Sequence, residues 1–378
     1  MTRTVTLLQG EGIGPEVMAV ALRVVEAVTT KIKFETYPIG VSAWEETGSP
    51  LPEDTLRSVL RNRVALKGPV ATPRSRDAYR SVNILMRQPL GLLAQLRPVR
   101  SWPGLTTPAG IDLVVAREIT EDYLAGIEFA ATTPAARAMT ELIEKEAGHQ
   151  MDPTAAISVK TISEHATRRF FTLLFEWARK SGRRRITVAH KATVQRATDG
   201  LFLEVARDVA AIVSHSSAEI ELDDCLVDTL AANLARQPAR YDVIAASALY
   251  GDILSDLAGA ITGGLGLGPG VNFGDDVAVF ETAHGTAPRL AGLDRANPTA
   301  TVLCAAMMLE HLGEATAASS IRRAVGEVLA TSSRLTYDLE SLRPCAIVGT
   351  AEFGDLLVEQ LLSGDELRRD IRQAGDEE

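Results

Sequence analysis

The chain has 378 residues, 46% of them hydrophobic and 23% charged, which is material for a sizeable core and exceeds the usual ~100–200 residues of one domain. A formal net charge of −10 and a pI near 5.3 exclude a broadly basic surface for nucleic acid or anionic membrane, so an anionic substrate has to be held by local basic groups. The start MTRTVTLLQGEG lacks a secretion-signal pattern, the stretch 257–274 carries too many glycines for a membrane span, and Cys225, Cys304 and Cys345 lie far apart without a CxxC, so a cytoplasmic protein with reduced, mostly buried thiols is expected.

Short β-rich runs, VTLL (5–8), IDLVVA (111–116), ITVA (186–189), YDVIAA (241–246) and VAVF (277–280), alternate with longer helical patterns. That rhythm predicts an α/β architecture with much parallel sheet and no internal repeat. After the first run, Gly10-Glu11-Gly12-Ile13-Gly14-Pro15-Glu16 approaches a dinucleotide fingerprint, but its third glycine comes one residue early and precedes a proline. A tight strand-to-helix turn with Pro15 at the helix start is the better reading. Ser81, Asn83 and Arg87 open a predicted helix, with Asn83 and Arg87 on one face. Arg97 follows in a loop beside Pro98, and Arg117 ends a strand. Guanidinium groups grip carboxylates two-pronged, so the three arginines together suit a polycarboxylate, although each alone reads as a surface salt bridge.

The segment 133–148 reads as one helix between irregular flanks, an insertion or intersubunit arm. Helices are predicted over 162–182 and 199–213, and Arg183-Arg184-Arg185 reads as a solvated turn. His190-Lys191 closes ITVAHK at the carboxyl end of a strand, where α/β enzymes present catalytic groups. In YGDILSD, Asp252 and Asp256 stand four apart on a helix opening after Gly251. Two stacked carboxylates repel unless a cation lies between them, and Asp228 offers a third oxygen ligand for Mg2+ or Mn2+. HGTAPRLAG (284–292) and Ala296-Asn297-Pro298 form a loop before a helix, suited to backbone contacts with a nucleotide, and GDEE ends the chain as a frayed tail.

In this order, GEGIGPE, LKGP, RSVNxxxRQ, LRPV, VAHKA…DGLF, LYGDILSD, HGTAP and ANPTA resemble the β-decarboxylating dehydrogenases, the isocitrate and isopropylmalate dehydrogenase family. The resemblance runs from Val5 to Glu359 and is nearest to the bacterial NADP-linked isocitrate dehydrogenases, through RSVN with Arg87, the insertion after GIEF, and TYDLE. It implies a two-domain α/β fold that is not a Rossmann fold, with a central mixed sheet. Residues 1–98 and 258–378 would form the large domain with the cofactor loops. Residues 99–257 would form the small domain, with a clasp arm at 129–157 gripping the partner of a homodimer.

Carried over residue by residue, Arg87, Arg97 and Arg117 bind substrate carboxylates and Ser81 and Asn83 read the distal one. Asp252 and Asp256 hold Mg2+ or Mn2+ with the partner's Asp228, and the partner's Lys191 serves proton transfer. Thr72, His284, Gly285, Thr286, Ala287 and Asn297 match cofactor contacts, and Tyr337 matches a phosphate-contacting tyrosine. Arg289 stands where NAD-linked relatives place an aspartate, which favours NADP and leaves NAD possible. The implied reaction is metal-dependent oxidation and decarboxylation of an isocitrate-like 2-hydroxy polycarboxylate, without nucleic acid or membrane as partner.

The chain departs from R-E-N-x-E-x-x-Y: Arg117-Glu118-Ile119-Thr120-Glu121-Asp122-Tyr123-Leu124 puts leucine at the acid's position and Tyr123 one residue early. Thr193 and Ala248 replace two asparagines. The expectation is a pocket wall at Leu124, with Tyr123 reaching the acid's place only through a bulge in a strand. The basic loop Arg74-Ser75-Arg76-Asp77 hints at a specialised substrate such as a phosphonomethylmalate or alkylmalate. A weakly catalytic binding or regulatory homologue is the remaining alternative.

Overall fold

The computed structural model describes residues 2–73, 79–214 and 220–363. The basic loop at 74–77 and the acidic tail lie outside these residues. Fourteen strands are described: β1 (Arg3–Leu8), β2 (Ile32–Thr36), β3 (Val64–Lys67), β4 (Leu92–Arg100), β5 (Asp112–Glu118), β6 (Glu128–Phe129), β7 (Ile157–Ser158), β8 (Arg185–His190), β9 (Glu221–Leu226), β10 (Val243–Ala246), β11 (Pro269–Gly274), β12 (Ala278–Thr282), β13 (Arg334–Leu335) and β14 (Ala346–Ile347). The described helices are α1 (Gly14–Glu26), α2 (Val41–Thr47), α3 (Glu53–Asn62), α4 (Val82–Arg87), α5 (Pro134–Ala147), α6 (Glu164–Lys180), α7 (Thr198–Ser214), α8 (Val227–Arg236), α9 (Ala248–Ile261), α10 (Thr299–His311), α11 (Ala315–Thr331) and α12 (Thr350–Ser363).

Ten strands form one sheet in the order β2-β1-β3-β12-β11-β4-β5-β10-β8-β9. Its two flanks are parallel and are joined by the antiparallel strands β12, β11, β4 and β5. The chain ends supply one flank and the middle supplies the other, which makes the sheet mixed and continuous. Strands such as VALK and VIAA are buried throughout because helices cover both faces. Helix α10 is apolar nearly all round and lies in the core, as a helix without a polar stripe must. Helix α6 is amphipathic, starts on a Ser163 cap that accepts from Ala166 N, and buries Phe170, Phe171, Leu174 and Phe175.

The segment predicted as an arm is bounded by the two-stranded ladder of β6 with β7 and carries α5, capped by Thr133. Only Ala136 of that helix is buried, and Leu142 and neighbouring Ile127 are exposed. Three expectations change. Arg97 is inside β4, not in a loop, and Pro98 is tolerated there. Helix α9 begins at Ala248, three residues before Gly251, so Asp252 lies in its second turn. The arginine turn is pinned, not merely solvated: Arg183 pairs with Asp112 and Asp242, and the Asp242 carboxylate accepts from Arg184 N and Arg185 N. Cys304 alone of the three free thiols is fully buried.

Candidate active site

Strand register builds the site. Gln95 of β4 lies opposite Arg117 of β5 and opposite Asn272 of β11, and Glu281 of β12 lies opposite Lys67 of β3. Directly opposed residues share one face, so five polar side chains from five strands meet under the front face of the sheet. Lys67 Nζ donates to Glu281 Oε2 at 2.6 Å, Asn272 Nδ2 to Glu281 Oε1 at 2.7 Å, and Gln95 Nε2 to Glu281 Oε1 at 3.1 Å. Gln95 Oε1 accepts from Arg117 Nε at 2.7 Å. All five are buried, and a buried charge is tolerable only when paired and hydrogen-bonded. Burial raises the Glu281 pKa, but Lys67 and Asn272 overcome it and hold the carboxyl down at about 2.

At the open end of this network Arg117 Nη1 meets Asp252 Oδ1 at 2.7 Å. Arg97 Nη1 meets Asp256 Oδ1 at 2.6 Å, and its Nη2 lies 3.7 Å from Asp252 Oδ1. The cation between the stacked aspartates is therefore a guanidinium of the chain itself. Helix α9 comes this close because Gly251 has no side chain: a Cβ there would stand 2.4 Å from Arg117 Cβ. Arg87 donates to the Ile119 carbonyl at 3.1 Å and has no carboxylate partner among the described residues. Burial lowers the pKa of both Arg117, to about 10, and Arg87; Arg97 repels each of them, so the three predicted arginines do converge. Asp252, Asp256 and the buried Glu118 offset these charges, so the pocket suits an anion through its three guanidinium forks rather than through net charge.

Asp252 and Asp256 are 41% and 50% exposed, and each uses only Oδ1 in its ion pairs. Among the described residues their second oxygens form no ion pair, which leaves oxygen donors of the kind a hard divalent cation takes. Asp228 is elsewhere: it begins α8 and accepts from Lys191 Nζ at 2.6 Å. Among the described residues no group of three metal-binding side chains assembles within one chain. Lys191, just past β8, is braced by Asp199, which accepts from Lys191 N at 2.6 Å and from Lys160 Nζ at 2.5 Å.

Residues after β5 do not continue a strand, which corrects the premise behind the expected bulge. Glu118 accepts from Thr120 N and Glu121 N, and Asp122 takes a left-handed φ of 65° and caps a single 3-10 turn at Tyr123–Ala125. In such a turn neighbouring side chains diverge by about a third of a revolution, not to opposite faces. The Tyr123 ring faces Lys160, whose Nζ is 5.9 Å from its centroid and 4.7 Å from that of Tyr250.

The predicted cofactor residues cluster on the other flank. Gly10 and Gly12 have φ of 76° and 61°, and the backbone of their turn bonds to Pro69 and Thr286, so GEGIGPE is a structural brace. Glu16 accepts from Gly292 N and Asp294 N and fixes the far end of HGTAPRLAG. Asn297 Nδ2 donates to Asp338 Oδ2 at 3.0 Å, and Arg295 lies 5.1 Å over the Tyr337 ring. Among the described residues the buried atoms His284 Nε2 and Asp338 Oδ1 have no hydrogen-bond partner, and neither has Asn83 Oδ1 on the substrate side. Thr72, Gly285 and Arg289 are exposed, Ser81, Asn83, Thr286 and Ala287 are half-buried, and Ala287 has a φ of 40°. Orphaned buried donors and acceptors beside a loop of exposed backbone fit a polar ligand of nucleotide kind. Sequence reasoning did not find Gln95, Asn272, Glu281 or Lys67; their only signal is a polar residue inside an otherwise apolar strand.

Residues 4–357 match the family model described as isocitrate/isopropylmalate dehydrogenase. The chain is 36% identical over 381 residues to the isocitrate dehydrogenase [NADP] of Archaeoglobus fulgidus, covering 94% of this chain and 92% of that one. It is 37% identical over 346 residues to the probable mitochondrial isocitrate dehydrogenase [NAD] subunit alpha of Drosophila melanogaster, covering 91% and 85%. The crystal structure of isocitrate dehydrogenase from Methylococcus capsulatus superposes with a TM-score of 0.85 at 39% identity, covering 95% of this chain and 99% of that one.

Proposed function

The chain belongs to the isocitrate/isopropylmalate dehydrogenase family, and from that premise we propose that it oxidises and decarboxylates an isocitrate-like 2-hydroxy polycarboxylate, preferring NADP to NAD and using Mg2+ or Mn2+. The observation that carries this reading is the meeting of Arg87, Arg97 and Arg117 with Asp252 and Asp256. Arg87, with no carboxylate of its own, takes one substrate carboxylate; Arg97 and Arg117 turn from the aspartates to the others. Ser81 and Asn83 read the distal carboxylate by donating to it from the hydroxyl and from the side-chain amide. Asp252 and Asp256 would hold the divalent ion, with the partner's Asp228. Such an ion, when bound, polarises the substrate carbonyl and favours loss of CO2.

Lys191, held by Asp228 and Asp199, exchanges the proton of the substrate hydroxyl across the dimer. Thr72, the loop 284–287 and Asn297 would hold the cofactor, which when bound supplies a hydride acceptor, and Arg289 and Tyr337 would take its 2′-phosphate. Leu124 walls the substrate pocket; Tyr123 is the acid for the enol left after CO2 departs only if Leu124 is not that wall. The arm at 129–157, with its exposed helix, clasps the second subunit, and the chain divides into a large domain (1–98 and 258–378) and a small one (99–257). A non-catalytic homologue is disfavoured because a binding subunit has no need of a braced Lys191–Asp228 pair.

The shared site is tested by co-expressing Asp252→Asn with Lys191→Met. Each homodimer should be inactive. Random pairing should restore one intact site per mixed dimer, about a quarter of the wild-type sites. A mixture as inactive as its parents refutes sharing.

A further inference from the structure

The strands that present the front site also line a second cleft of about 610 Å3 on the back of the sheet. Side chains alternate along a strand, so while Gln95, Arg97 and Arg117 point forward, Leu96, Pro98 and Arg100 of β4 and Asp112 and Val114 of β5 point back. Both flanks of the molecule line this cleft, α6 through Trp177 and Lys180 and α10 through Leu303 and Met307. Its accessible aromatic walls are Trp177, Phe273 and His311; Phe280 packs behind the latter two at 5.7–6.4 Å, and Trp102 is buried under Arg100 with the guanidinium 5.0 Å from its ring.

Its charge is distinctive in a chain of net charge −10. Both lining carboxylates are already paired, Asp112 with Arg183 and Glu310 with Arg322. Arg100 and Lys180 line the same cleft and form no ion pair among the described residues. Apolar aromatic walls with two uncompensated cations at one side, in a cleft within the usual ~300–1,000 Å3 of small-molecule sites, define a ligand class. We propose that this back cleft binds a planar aromatic molecule carrying phosphate or a similar anion, and that its occupancy is coupled to substrate binding through β4 and β5. The ring stacks among the aromatic walls and the anion meets Arg100 and Lys180. The coupling rests on the catalytic reading above; the binding does not.

The probe is guanosine 5′-monophosphate, titrated into Trp44→Phe protein without dinucleotide, and the charge-deleted variant below separates the back cleft from the cofactor loops. Only Trp102 and Trp177 then report. Saturable quenching is expected, weakened at least tenfold in Arg100→Ala/Lys180→Ala, whose side chains are exposed enough to leave the fold intact. Guanosine and inorganic phosphate should each bind at least tenfold more weakly than the mononucleotide. Quenching that does not saturate, that survives the double substitution, or that guanosine or phosphate alone reproduces would overturn the site. Bound mononucleotide should also shift the half-saturating substrate concentration at least twofold in the Trp44→Phe protein and not in the charge-deleted variant. Binding without that shift refutes the coupling, and since fluorescence needs no turnover, its result stands whatever becomes of the catalytic reading.

Discussion

Substituting Gly251 by alanine separates two physical arguments of opposite sign. Gly251 lies inside α9, where helix propensity alone favours alanine by about 1 kcal/mol. An added Cβ, however, would stand 2.4 Å from Arg117 Cβ and 3.2–3.3 Å from its Cδ and Cγ. Cβ is fixed to the β5 backbone and cannot swing aside, so helix and strand must part by roughly 1 Å to reach ordinary contact. Overpacking of this kind costs about 1–3 kcal/mol, which outweighs the propensity gain and leaves a net loss of up to about 2 kcal/mol. The same displacement carries Asp252 away from Arg117 and Arg97, and a misplacement of about 1 Å at a reacting centre can cost about 100-fold in rate. Urea denaturation followed by circular dichroism reads the first effect, and kcat/KM with the best substrate reads the second. A Gly251→Ala protein at least as stable as wild type with unchanged kcat/KM would show that the close approach does not position the site.

Three further outcomes are expected. Glu281→Gln leaves Lys67 buried beside a neutral amide and should destabilise by about 3–5 kcal/mol near neutrality. Because the Glu281 pKa is held below its ordinary value, at about 2, its contribution is present above the ordinary carboxyl range and is lost as pH falls toward 2; the gap between wild type and variant should narrow over that window, and a gap constant with pH contradicts it. Arg289→Asp should reverse the cofactor preference from NADP+ toward NAD+ in kcat/KM, and an unaltered ratio would remove Arg289 from phosphate recognition. Tyr123→Phe should leave oxidation largely intact if Leu124 is a pocket wall; a loss of about 10²–10⁴-fold with unchanged substrate binding would make Tyr123 the acid.

Much of this was legible in the sequence because it is local. Periodicity located the main strands and helices, and the spacing of Asp252 with Asp256 and of Asn83 with Arg87 placed them on helices. What was not legible depends on register between distant segments. Gln95 and Asn272 are 177 positions apart, and only the pairing of β4 with β11 opposes them. Arg97 read as a loop residue because Pro98 follows it, yet the antiparallel strands at the sheet centre accept a proline there. In the sequence glycine punctuates helices and so sets the start of α9 after Gly251; its real role, admitting Arg117, needs the third dimension. The 3-10 turn at Tyr123 likewise depends on Asp122, whose carboxylate accepts from Ser247 and from Leu249 N, far along the chain.

The most direct test is a panel of 2-hydroxy polycarboxylates, isocitrate and 3-alkylmalates among them, assayed with Mg2+ or Mn2+ for reduced cofactor at 340 nm and for CO2 in the same reaction. At least one substrate should yield equal amounts of NADPH and CO2, with both signals lost in Asp252→Asn and in wild type with excess EDTA. Reduced cofactor without CO2, or turnover indifferent to EDTA, would contradict metal-dependent oxidative decarboxylation.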